Sequence, residues 1–98
     1  MEQDQIAAVE IDEAGRLHVM PASHKFPYIY REAMEVHWDP VLCSLHSPVS
    51  REWTYLRWFQ QIVSAASEQG CKLSLTAATR WVNIPNDIKS AFLEFASH

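Results

Sequence analysis

The first periodic stretch sets Val9 and Ile11 before the polar run Asp12-Glu13-Ala14-Gly15-Arg16, and Leu17 and Val19 after it. A three-residue loop at Glu13-Ala14-Gly15, with the glycine in the left-handed region, closes these segments into a hairpin. That register pairs Asp12 with Arg16, Ile11 with Leu17 and Val9 with Val19. The four apolar residues then share one face, and Glu10 and His18 take the other.

Residues 21–27 read as a loop, because Pro21 and Pro27 each remove a backbone donor and bias the preceding residue away from helix. From Tyr28 to Trp38 the even positions are apolar except Glu32, which predicts an extended segment with a bulge near Arg31-Glu32, or two shorter strands. Asp39-Pro40 opens a turn into a strand from Val41 to Leu45. A four-residue connection suits the proline better than two. It sets Val36 and Trp38 beside Cys43 and Leu45, and leaves His37 and His46 on the opposite face near Glu35 and Ser44.

Ser47-Pro48 has the chemistry of a helix start, and Gly70 that of a stop after about Gln69. At 100° per residue, Tyr55, Leu56, Trp58, Phe59, Ile62, Val63 and Ala66 fill an arc of about 160°. A strand follows at Lys72 to Thr76. Residues 77–85 either extend it or cover the core as a loop. A terminal helix begins near Asn86, with Ile88, Ala91, Phe92 and Phe95 on one stripe and Leu93 pointing away. Four strands, a long helix, a strand and a short helix predict one α+β domain over residues 1–98. It has two layers: a mainly antiparallel sheet of about five strands, and the helices on one face.

Composition narrows the function. The chain has 98 residues, 48% of them hydrophobic, and only two glycines, as a packed globule does. Eight Lys+Arg against twelve Asp+Glu give a formal charge of −4, the wrong sign for a general nucleic-acid or anionic-membrane binder. No apolar run reaches the roughly 20 residues of a membrane span, and the start MEQDQ is acidic rather than a secretory leader. Two cysteines, Cys43 and Cys71, fit free thiols and a cytoplasmic chain.

No metal or cofactor is expected, since His37 and His46 lack a converging third ligand and no zinc-type spacing occurs. Cys43 falls on a core-facing strand position, and Cys71 follows a helix C-terminus that should raise its pKa. Neither glycine belongs to a nucleophile elbow or a phosphate loop. Arg51 and Arg57 interleave with aromatics, but about 120° apart on a helix they do not make a nucleic-acid face. The weak catalytic candidates are Glu32 and Glu52, each on an apolar face where desolvation would suit general acid or base work beside Tyr28 or Tyr30. The competing reading has Glu52 favouring a helix N-terminus and Glu32 marking a bulge.

The runs Glu10-Ile11-Asp12-Glu13-Ala14-Gly15-Arg16-Leu17 and Lys25-Phe26-Pro27-Tyr28-Ile29-Tyr30-Arg31-Glu32-Ala33 carry a likeness. So do Ser47-Pro48 with Arg51-Glu52-Trp53, and Trp81-Val82-Asn83-Ile84-Pro85. Together they resemble small uncharacterised proteins encoded by the mobile gene cassettes of bacterial integrons. The resemblance implies a soluble bacterial accessory protein of unassigned activity, and brings no functional residue with it.

The expectation is therefore a binding or interaction module rather than an enzyme. The excess apolar helix surface points to a homodimer, with Trp53, Trp58, Tyr55 and Leu93 as its interface. The alternative is a small-molecule-binding protein or hydrolase with Glu32 and Glu52 in an apolar aromatic pocket.

Overall fold

Strand β1 (Glu2–Ile11) and strand β2 (Arg16–Pro21) form the hairpin that the first periodic stretch predicts. Val9 pairs with Val19 and Ile11 with Leu17, and Gly15 sits at φ +92° in the turn. The computed structural model describes residues 2–49 and 52–97. Arg51, one of the two arginines weighed above, lies outside the described residues.

Residues 28–38 do not form the long extended segment. Ile29–Arg31 is a single 3-10 turn that buries Ile29, and residues to Val36 stay in turns. Only β3 (His37–Asp39) is strand. A four-residue connection follows, and β4 (Ser44–Val49) pairs Trp38 with Leu45. Cys43, expected at a core-facing strand position, instead lies exposed in that connection at φ +52°.

Ser47-Pro48 belongs to β4, not to a helix. The Ser47 hydroxyl accepts the Leu17 N–H at 3.0 Å and donates to the Pro48 carbonyl, so it serves the sheet. Pairing of β4 with β3 ends at His46. Pro48 thus falls where one side of its strand has no ladder partner and its missing N–H costs little.

The long helix α1 (Tyr55–Glu68) starts later than predicted, capped by the Thr54 hydroxyl accepting the Arg57 N–H at 3.1 Å. Gly70, at φ +89°, ends it as expected. The chain returns as β5 (Cys71–Ser74) and β6 (Arg80–Val82), both parallel to β1 along the same edge. The resulting sheet runs β3-β4-β2-β1, with β5 and β6 sharing the far side of β1. It is a mixed sheet of an α+β fold, with three antiparallel and two parallel pairings among the described residues.

Helix α2 (Asn86–Ala96) completes the layer. Phe92, fully buried, stacks on Phe59 of α1, and Phe95 meets the same ring edge-on. The wide apolar arc of α1 is thereby divided. Trp58, Phe59, Ile62, Ala65 and Ala66 are buried, and α2 takes the flank that the sheet does not reach. Among the described residues no helix is long and apolar enough to cross a membrane.

Candidate functional site

The residues singled out from sequence fall into separate places. Glu32 caps the 3-10 turn, is exposed, and accepts a hydrogen bond from Gln69 Nε2 at 2.7 Å. Glu52, also exposed, precedes the Thr54 cap at the other end of α1. Fourteen helical residues span about 21 Å, so the two carboxylates do not converge. Tyr28 and Tyr30 are exposed beside Arg31, whose guanidinium lies 4.8 Å from the Tyr28 ring centroid, and they join neither acid.

The expected interface residues are also dispersed, for local reasons. Trp53 stands just before the Thr54 cap and Trp58 at the fourth helical position. Their rings meet at 4.6 Å as a hydrophobic staple, which fixes how the chain enters the helix. Trp58 is thus almost wholly buried against Trp53 and the core. The Tyr55 hydroxyl donates to the Gly15 carbonyl at 3.0 Å, tying α1 to the first hairpin. Leu93 is 44% exposed, on the side of α2 away from the Ile88-Phe92-Phe95 stripe.

Two concave places adjoin these residues. The tryptophan staple forms one wall of a hollow of about 330 Å³, completed by Val49, Glu52 and Glu35. Glu35 was not identified from sequence; it arrives through the turn before β3, and no local pattern marks it. Among the described residues neither carboxylate has an ion pair. The Arg57 guanidinium rests over Trp53, 4.2 Å from the ring centroid. The second place is a groove of about 460 Å³ between the two helices, lined by Thr54, Tyr55, Leu56, Asp87, Ile88 and Ala91.

The sheet face turned from the helices carries a row of side chains. Glu10, His18, His46 and His37 lie directly opposite one another across β1, β2, β4 and β3. His18 and His46 have ring centroids 5.2 Å apart, and His46 stacks on His37 at 5.3 Å. His18 Nε2 is 2.8 Å from Asp12 Oδ2, and its Nδ1 is 3.1 Å from Ser44 Oγ. An Asp-His-Ser relay of this kind resembles that of a serine hydrolase. Ser44, however, is completely buried, so its hydroxyl cannot meet a substrate. Its role is to satisfy a buried imidazole.

The electrostatics follow from these partners. Burial alone would raise Asp12, but the His18 bond and the Arg16 N–H outweigh it and hold the carboxyl below its usual value. Burial lowers His46, and the imidazoles on both sides add to the effect. Cys71 is buried at the start of β5, and burial, with Asp4 and Glu2, pushes its thiol up. Among the described residues no group of three or more His, Cys, Asp or Glu side chains is arranged to hold a metal ion.

Comparison with known proteins gives a family. Residues 4–79 match that of the Integron Cassette Protein Hfx_Cass5. The solved structure of the integron cassette protein Hfx_Cass5, from the mobile metagenome of North West Arm Sewage Outfall, is 56% identical. The similarity covers 100% of this chain and 99% of that one, with a TM-score of 0.50. Among curated proteins none matches.

Proposed function

The chain belongs to the Hfx_Cass5 family of integron cassette proteins, and we propose that it acts as a binding module whose ligand is an organic cation. The observation that carries this reading is the pair of carboxylates, Glu35 and Glu52, flanking the Trp53–Trp58 wall of a hollow of about 330 Å³. That volume suits a small molecule. Arg57 takes one face of Trp53, 4.2 Å from the ring centroid, so a cation in the hollow is held chiefly by the two carboxylates, which have no ion pair among the described residues. The formal charge of −4 favours approach of the same ligand class. Catalysis has less support, because Glu32 lies far from Glu52 and Ser44 is closed to solvent.

The test is titration of tryptophan fluorescence with tetramethylammonium, choline and spermidine, beside an uncharged isostere of choline. Binding of the cations, lost about tenfold or more in Glu35→Gln with Glu52→Gln, supports the reading. Equal response to the uncharged isostere, or none to any cation at millimolar concentration, ends it.

Self-association is the second reading, favoured by the groove of about 460 Å³ with Leu56, Ile88 and Ala91 on its walls. Its partner would be a second copy of this chain in a two-fold dimer. Light scattering at micromolar concentration decides: a mass near the 11.3 kDa monomer removes the dimer, whereas a doubled mass abolished by Leu56→Asp supports it.

A further inference from the structure

The histidine row crosses the seam by which β3 is attached. Three cross-strand pairs, His37–His46, Trp38–Leu45 and Asp39–Ser44, join β3 to β4, and β3 is the outermost strand on that side. The first pair is one imidazole stacked on another, and a third imidazole lies 5.2 Å beyond. We infer that the His18–His46–His37 row is a proton-operated latch, closed while His46 is neutral and loosening β3 from β4 when His46 takes up a proton between its two neighbouring rings.

The neutral row is well satisfied. A carbonyl can only accept, so His46 Nδ1 carries the proton donated to the Ser47 carbonyl, 3.2 Å away. A second proton must then go on Nε2, giving a cation between two other imidazoles. His18 presents its Nε2–H to Asp12 and accepts from the Ser44 hydroxyl at Nδ1, a tautomer in which all three groups are used once.

Among the charged groups around the row, Asp12 pairs with His18 at 2.8 Å, and Asp39 is the carboxylate that acts on His46. From the first hairpin, Asp12 already accepts the Arg16 N–H and the His18 bond, and lies 4.0 Å from the Arg16 guanidinium. Glu10 stands opposite His18, one strand further from His46. From β3, Asp39 is the carboxylate that favours a charged His46, but its Oδ1 accepts the Val41 and Leu42 N–H groups. Arg16 adds positive charge on β2. Burial of His46 and the two flanking rings prevail, holding it below the ordinary histidine range. Detaching β3 hydrates the rings, relieves their crowding and leaves the β4 edge unpaired, ready to take another strand.

The experiment is amide hydrogen exchange by NMR on the full chain between pH 7 and pH 5, corrected for intrinsic rates, with the imidazole resonances followed in parallel. Protection of the amides bonded between β3 and β4 is expected to fall several-fold, while Val9 and Val19 stay protected. His46→Gln, polar but unable to charge, should abolish the pH dependence. His37→Gln, which removes the exposed end of the row, serves as the second variant if the first does not fold. Protection that is unchanged in wild type, or lost equally in the variants, overturns the latch.

Discussion

The Thr79 hydroxyl donates to the Ile6 carbonyl at 2.7 Å, joining residues 73 positions apart. Its place explains the divided edge of the sheet. Between Gln5 and Ala8, β1 has two residues, whereas the opposing edge has five, 75–79, between β5 and β6. The surplus folds into a turn in which Thr79 N–H bonds the Thr76 carbonyl and Thr79 Oγ1 accepts the Thr76 N–H. One buried hydroxyl thus stands in for the missing ladder.

Thr79→Val keeps the shape and removes the hydroxyl, orphaning the Ile6 carbonyl and the Thr76 N–H. Leaving buried polar groups unpaired costs about 1–3 kcal/mol. Melting followed by circular dichroism should show a Tm lower by roughly 4–8 °C per kcal/mol. A Tm unchanged to within a degree would mean that water replaces the hydroxyl.

Phe59 and Phe92 stack with centroids 4.3 Å apart and planes 12° apart, the main apolar contact between the helices. Phe92→Ala opens a cavity at a fully buried site and should cost about 3–5 kcal/mol. Phe92→Leu retains most of the volume and should cost much less. Chemical denaturation measures both, and equal losses would show that stacking geometry, not volume, sets the stability.

What the sequence disclosed follows the range of each interaction. The first hairpin was legible because Gly15 and the alternating apolar residues are local and agree. Gly70 and the α2 stripe were legible for the same reason. The β1–β5 and β1–β6 pairings were not, since parallel partners some 70 residues apart leave no turn between them to read. The α1 start was misplaced because Ser47-Pro48 has helix-start chemistry, yet the Ser47 hydroxyl is taken by Leu17 on the neighbouring strand. With the start misplaced, the Trp53–Trp58 staple around Thr54 was read as surplus surface. Three of the five residues lining the candidate hollow, Glu52 and the two tryptophans, were in view. Glu35 was not, because only the fold brings its turn to that end of α1.

Asp4 gathers the loop after β2. Its carboxylate accepts the backbone N–H groups of Ser23, His24 and Gln5, and the Ser23 hydroxyl. Burial would raise its pKa, but these bonds outweigh burial and hold it below the usual 3.8. A carboxyl whose folded pKa is depressed contributes stability above its unfolded pKa and loses it as pH falls through the folded value. Wild-type Tm should therefore decline below about pH 4, and Asp4→Asn should be less stable at pH 7. The two curves should converge in stronger acid; a gap that stays constant from pH 7 to pH 2 would contradict the linkage.

The Tyr55 hydroxyl reaches the carbonyl of Gly15, whose φ of +92° disfavours any side chain. A Cβ added at Gly15 would lie 3.5 Å from Tyr55 Oη, an ordinary contact, so space does not forbid it. The penalty of Gly15→Ala is then conformational, about 1–2 kcal/mol, with Asn tolerated better because it enters the left-handed region more readily. Tyr55→Phe removes one half-buried hydrogen bond, worth about 0.5–1.5 kcal/mol. The acceptor is a backbone carbonyl that survives Gly15→Ala, so the two changes act on different terms. Their double-mutant cycle should close to within about 0.5 kcal/mol. A larger coupling, measured by urea denaturation, would show that the alanine methyl displaces the tyrosine, and that the turn and the start of α1 yield together.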